Sequence, residues 1–156
     1  MKAIPQMFFA ALTVIVTAAC SKDKASAPPA LSTDSTAEFL KTGNWKFAVF
    51  NISPAFNGVT DGLSVQPPCL RDNLWQYADN GIFYIDEGAT KCNAADPQTQ
   101  QGTWNYDKAS KVLTFQTATI DFLLNITKST STTISGYRNV TINGSEYMYS
   151  GTIARQ

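Results

Sequence analysis

The sequence predicts an all-β protein: an eight-stranded antiparallel up-and-down barrel behind a signal peptide and a flexible tether. Three observations carry this. From residue 43 onward, apolar and polar residues alternate in short runs rich in aromatic and β-branched side chains, the period of a half-buried strand. Turn sequences such as Asp79-Asn80-Gly81 and Asn143-Gly144 join several of these runs, and Asn-Gly accepts positive φ at little cost. No crossover helix separates the runs, so neighbours pair antiparallel, and closure of the meander removes its exposed edges. A two-sheet sandwich is the alternative. It would favour longer crossing connections, and the two long connections both precede the last five strands.

Residues 1–19 read as a lipoprotein signal peptide. Lys2 supplies the positive start, and the apolar stretch 7–19 is too short for the ~20 residues that span a bilayer. Thr17-Ala18-Ala19-Cys20 resembles the bacterial lipobox, with Thr17 where Leu, Val or Ile is usual, which implies that Cys20 is the lipidated first residue. Ordinary cleavage, leaving Cys20 as a spare thiol, is the other reading. The sequence has 3 cysteines, one pair plus one, and lipidation of Cys20 accounts for the odd one. Acyl chains on Cys20 then hold the protein to a membrane, each buried CH₂ contributing ~0.8 kcal/mol. The expected address is a bacterial cell envelope. Ser21, not aspartate, follows Cys20, which by analogy with bacterial sorting rules points to the outer membrane.

Without residues 1–19 the chain loses Lys2 alone, leaving 11 basic against 12 acidic side chains. Lys and Arg are scattered, so the electrostatic footprint of a nucleic-acid binder is missing.

In order, residues 20–38 form the tether, small, polar and proline-bearing over 21–35, and residues 39–156 form the barrel domain. Residues 36–41 read as a single helical turn. The first strand, 44–52, sets Trp45, Phe47 and Val49 against Lys46 and Ala48, then turns apolar on both faces at Phe50 and Ile52. Residues 53–68, with Pro54, Gly58, Gly62, Pro67 and Pro68, read as a long loop, either functional or mobile. Strands 74–78 and 82–87 flank the Asp79-Asn80-Gly81 turn, and 88–101 is a polar loop. Strands 102–106, 112–116 and 120–127 come next. The last puts Ile120, Phe122, Leu124 and Ile126 on one face and Asp121 and Asn125 on the other, with Leu123 as the exception. Strands 132–142 and 145–155 complete the set. Tyr147, Tyr149, Gly151 and Ile153 share a face, and Gly136 marks a bulge or bend.

In such a meander connections alternate ends, so loops 53–68 and 88–101 share one rim. Cys69 and Cys92 bracket a strand-turn-strand unit whose ends lie close together, and an exported compartment is oxidising, so a disulfide is expected between them. Two buried thiols are the alternative.

Gly43-Asn44-Trp45 resembles the G-x-W start of lipocalins. Together with Cys69-x-x-Asp72, Asp79-x-Gly81, Glu87-Gly88-x-x-x-Cys92 and Gly102-x-Trp104, the pattern over residues 40–155 resembles the lipocalin-like domain of small lipoproteins common in Bacteroidota. The resemblance implies a small barrel exported on a lipid anchor, the Trp45 indole plugging its bottom and Arg155 packing on that indole. It implies no ligand.

The sequence contains 0 histidines, which excludes Ser-His-Asp and Cys-His catalysis and removes the commonest general base and zinc ligand. Asp72, Asp86 and Glu87, near one end of the central hairpin, read either as a glycosidase pair or Ca²⁺ site, or as strand ends and turn residues neighbouring Arg71 or Lys91. No catalytic residue, metal ligand or cofactor is assigned. Trp75, Tyr77, Phe83 and Trp104 are the candidate ligand-binding residues; packed core is their other reading, since a barrel of this size holds side chains or one small ligand. The expectation is a non-enzymatic lipoprotein binding a small apolar or aromatic molecule. The alternative is a structural or interaction lipoprotein, an accessory subunit for another envelope protein.

Overall fold

The computed structural model describes residues 34–156. Residues 1–33, which include the expected signal peptide and Cys20, lie outside the described residues. A short helix, α1 (Thr36–Leu40), precedes β1 (Asn44–Phe56), β2 (Val59–Asp61) and two single helical turns, α2 (Gly62–Val65) and α3 (Pro68–Arg71). The remaining strands are β3 (Leu74–Tyr77), β4 (Ile82–Asp86), β5 (Thr99–Asp107), β6 (Val112–Gln116), β7 (Asp121–Ser129), β8 (Thr133–Ile142) and β9 (Ser145–Arg155). Sheet order is β2-β1-β3-β4-β5-β6-β7-β8-β9, and β1 also pairs with β9. The meander therefore closes: β1 and β3 to β9 make an eight-stranded antiparallel barrel, and β2 is appended beside the far half of β1.

Each of the eight expected strands is present, and the chain chemistry explains most of their limits. Asn80 and Gly81 take φ of 60° and 72° in a tight 3₁₀ turn between β3 and β4. Asn143 and Gly144 do the same between β8 and β9, with φ of 50° and 79°. β5 starts at Thr99, inside the stretch expected to be loop.

Residues 53–68 are not a loop. β1 runs on to Phe56, turns at Asn57-Gly58 with φ of 49° and 82°, and returns as β2 before α2. The hairpin dipeptide is plain in the sequence, but Pro54 breaks the alternation before it. Pairing of β1 with β2 is irregular between Asn51 and Phe56, which accommodates a residue that brings no N–H to the ladder.

The face of β1 also changes. Phe47 pairs with Ile153 and Val49 with Thr152, so Ala48 is an extra residue, a bulge. Trp45 and Phe47 face inward before it, Phe50 and Ile52 after it. Val49 is turned outward and 42 % exposed, against the inward place that strict alternation assigns it. A second bulge lies in β7, where Ile126 pairs with Gly136 and Lys128 with Ser135. A Cβ on Gly136 would stand 2.5 Å from the Asn125 carbonyl oxygen. Glycine there permits the close approach.

The core is a column of inward side chains: Trp45, Tyr77, Phe83, Ile85, Leu113, Phe115, Leu124, Ile126, Ile134 and Ile153, with Leu40 of α1 beneath them. Packing against the barrel starts by Asp34, ahead of the expected domain start at residue 39. Thr36 is 1 % exposed. Its anchorage is hydrogen bonding by short polar side chains, which carries no apolar signal.

Candidate functional site

The end of the barrel where β1 begins is shut. The Trp45 indole N–H donates to the Leu40 carbonyl at 2.9 Å, and both residues are fully buried. The segment leading into α1 is strapped across this end. Tyr106 donates its hydroxyl to Asp34 at 2.5 Å, and Thr36 donates to the Ser129 hydroxyl at 2.7 Å. Lys41 bridges Glu38 at 3.1 Å and Asp79 at 3.2 Å. Burial works to raise the Asp34 pKa, but the hydrogen bonds from Thr36 and Tyr106 outweigh it and hold the carboxyl below its ordinary value. Burial, then the bond to Asp34, raises the Tyr106 phenol. Arg155 pairs with Trp45 across β1 and β9, and its guanidinium donates to the Thr42 hydroxyl at 3.2 Å.

Aromatic rings fill the middle. Phe83 and Phe115 lie 4.6 Å apart between centroids, Phe115 and Phe122 4.7 Å, and Trp75 and Phe47 4.7 Å. Such pairs contribute ~0.5–1.5 kcal/mol each beyond the area they bury. Tyr77, 2 % exposed, packs 5.0 Å from Phe83. Its hydroxyl has no hydrogen-bond partner among the described residues, and burial pushes its pKa far up. Trp104 donates its indole N–H to the Ala78 carbonyl at 2.8 Å and meets Tyr77 edge-on.

At the opposite end, the mouth, the packing loosens. Phe47, Phe50, Phe122, Leu124, Tyr149 and Gly151 form a cup around a cavity of about 10 Å³, and Arg138 projects into it. The Arg138 guanidinium carbon lies 5.4 Å from the centroid of the Phe122 ring. Phe50 meets Tyr149 edge-on at 5.5 Å, and Phe56 meets Tyr147 likewise at 5.4 Å, extending the aromatic wall toward the rim. α2 sits close over Phe50: a Cβ on Gly62 would strike that ring.

The rim itself is tied together. Cys69 and Cys92 form a disulfide with their Cα atoms 5.1 Å apart. Beside it one Asp72 carboxylate oxygen accepts from the backbone N–H of Ala89 (3.0 Å) and Thr90 (2.9 Å) and from the Thr90 hydroxyl (2.9 Å). Those bonds, the Thr90 hydroxyl's first, hold its pKa below the ordinary value against the opposing effect of desolvation. Asp86 accepts from the Gly88 N–H at 2.8 Å and the Gln98 amide at 2.9 Å, and Glu87, 5 % exposed, from the Gln100 amide at 3.2 Å. The three carboxylates thus each hold rim or loop structure. Lys91 spends its ammonium on the carbonyls of Ala94 and Asp96. Among the described residues no three His, Cys, Asp or Glu side chains converge as a metal would require.

Of the four aromatic candidates, only half-buried Trp75 reaches the cup residues, 4.7 Å from Phe47 and 6.4 Å from Phe122. Tyr77 and Phe83 are core, and Trp104 faces the shut end. Cys20 lies outside the described residues. Arg138 and Phe50 carry the mouth and escaped sequence reading. The signal was present: Ile134, Gly136, Arg138 and Val140 alternate on one face, so a cation stands in an apolar series. A scan against protein-family models finds no match to this chain, and a search of curated proteins finds none either.

Proposed function

We propose that this chain is a lipid-anchored lipoprotein of a bacterial cell envelope, lipidated at Cys20 and sited at the outer membrane. Its barrel belongs with the lipocalin-like domains of small lipoproteins, and the barrel is a non-enzymatic module that binds a small apolar or aromatic molecule at its mouth. The observation that supports this reading is the asymmetry of the two ends. One is shut by Trp45, Leu40 and the strap from Asp34. The other keeps half-buried rings of Phe50, Phe122 and Tyr149 around a residual cavity. The described chain enters the domain at the shut end.

Titration of the purified domain with the neutral arene N-phenyl-1-naphthylamine tests this. Saturable fluorescence enhancement, competed by other apolar molecules, is the expected result. The second reading, an interaction lipoprotein serving another envelope protein, is favoured by the cavity volume of about 10 Å³, which leaves room for little more than one water. No saturable binding by the intact domain would put that reading first.

A further inference from the structure

Resting on that binding reading, we infer that the ligand taken at the mouth is an amphipathic anion and that Arg138 binds its charged head. Arg138 stands on the inner face of β8. Ile134 pairs with Ile153, Gly136 with Gly151 and Arg138 with Tyr149 along one inward register. A guanidinium is a permanent cation in proteins. The ion pairs among the described residues are those of Lys41, and the Arg138 guanidinium has neither an ion pair nor a hydrogen bond with any described residue. What it has is the face of Phe122.

A charge drawn off the surface without a partner is unfavourable, and an aromatic face restores only part of the lost hydration. Solubility does not explain its position, because Lys108, Lys111 and Lys128 serve that purpose from exposed sites. A guanidinium lying against a ring still presents its N–H edge, and that fork matches the two oxygens of a carboxylate or sulfonate. The half-buried rings of Phe50, Phe122 and Tyr149 supply an apolar surface beside it. The space beneath those rings is water-sized. The ligand body therefore lies across them at the mouth, and the anionic head meets Arg138.

The test uses two probes built on the same arenes: anionic 1-anilinonaphthalene-8-sulfonate and neutral N-phenyl-1-naphthylamine. Both are titrated into the parent, Arg138→Met and Arg138→Lys, each first shown to melt cooperatively. The parent should bind the sulfonate roughly ten-fold or more tighter than the neutral probe, as a hydrogen-bonded charge partner would give. Arg138→Met should lose that preference while keeping its affinity for the neutral probe, and Arg138→Lys should retain part of it. Added NaCl should weaken sulfonate binding to the parent and leave the neutral probe unaffected, a readout that stands even if Arg138→Met fails to fold. A parent that binds both probes equally, or a preference unchanged in Arg138→Met or by salt, overturns the anion assignment and leaves the binding module standing. A parent that binds neither overturns both.

Discussion

Trp45 and Leu40 are joined by a buried hydrogen bond, the indole N–H of the first strand donating at 2.9 Å to the last carbonyl of α1. It fixes a helix end that would otherwise leave that carbonyl unsatisfied, and it sets a bulky ring across the floor of the barrel. Both residues are wholly buried. Trp45→Ala should lower unfolding free energy by ~3–5 kcal/mol, the usual range for a large aromatic in a core. Urea denaturation followed by circular dichroism measures this; a loss below ~1 kcal/mol would contradict a floor built on Trp45.

Tyr77 makes the opposite case. Its ring is needed, but its hydroxyl is buried without a partner among the described residues, which costs ~1–3 kcal/mol relative to a satisfied group. Tyr77→Phe should therefore leave stability unchanged or raise it by ~1 kcal/mol, whereas Tyr77→Ala should be strongly destabilising. A clear loss in the phenylalanine variant, read from the same denaturation curves, would mean that the hydroxyl has a partner.

The Cys69–Cys92 bridge spans a sequence separation of 23. Constraining a loop of that length in the unfolded chain should contribute ~3 kcal/mol. Replacing both cysteines with alanine should cost about that much and loosen the chain around Cys92 first, while the Asp72 bonds hold Ala89 and Thr90 in place. Hydrogen exchange at those two amides tests the local part: protection lost in Asp72→Ala but largely kept in the double cysteine variant is the expected pattern.

The strap at Asp34 should respond to acid. Its carboxyl is held below the ordinary value in the folded protein, so its contribution is fully present above the unfolded pKa of ~3.9 and is lost as pH falls through the depressed folded value. Asp34→Ala should melt earlier than the parent at pH 7, and the two curves should converge toward pH 2–3. A difference that persists undiminished at that pH would assign the strap's stability to other groups.

Gly136 is a tight backbone constraint. A methyl group there would stand 2.5 Å from the Asn125 carbonyl oxygen and 2.7 Å from Leu124 Cγ. Gly136→Ala should destabilise by ~1–3 kcal/mol, as overpacking does, with backbone amide shifts in NMR spectra concentrated at the β7 bulge.

Much of this architecture is local chemistry, and local chemistry is legible in one dimension. Period-two alternation marks strands because side chains on a pleat point to opposite faces. Asn80-Gly81 and Asn143-Gly144 turn because those residues accept positive φ. The eight strands of the barrel, its closed meander and the pairing of Cys69 with Cys92 across a shared rim all derive from such signals plus parity, whereas β2 does not. The bulges at Ala48 and Thr127 belong to the other category. Each arises where a neighbouring strand must be matched around a closing barrel, and each inverts the facing of the residues after it, so Val49 points out although its own strand places it in. The strap from Asp34 rests on partners 72 and 93 residues away along the chain, beyond the reach of any local pattern. The site divides in the same way. Which aromatics are core and which line the mouth depends on height along the barrel axis, a coordinate that alternation does not encode. That Arg138 stands against Phe122 without an ion-pair partner among the described residues is a fact about β7, β8 and β9 together, because only the closed barrel determines which charges come within reach of one another.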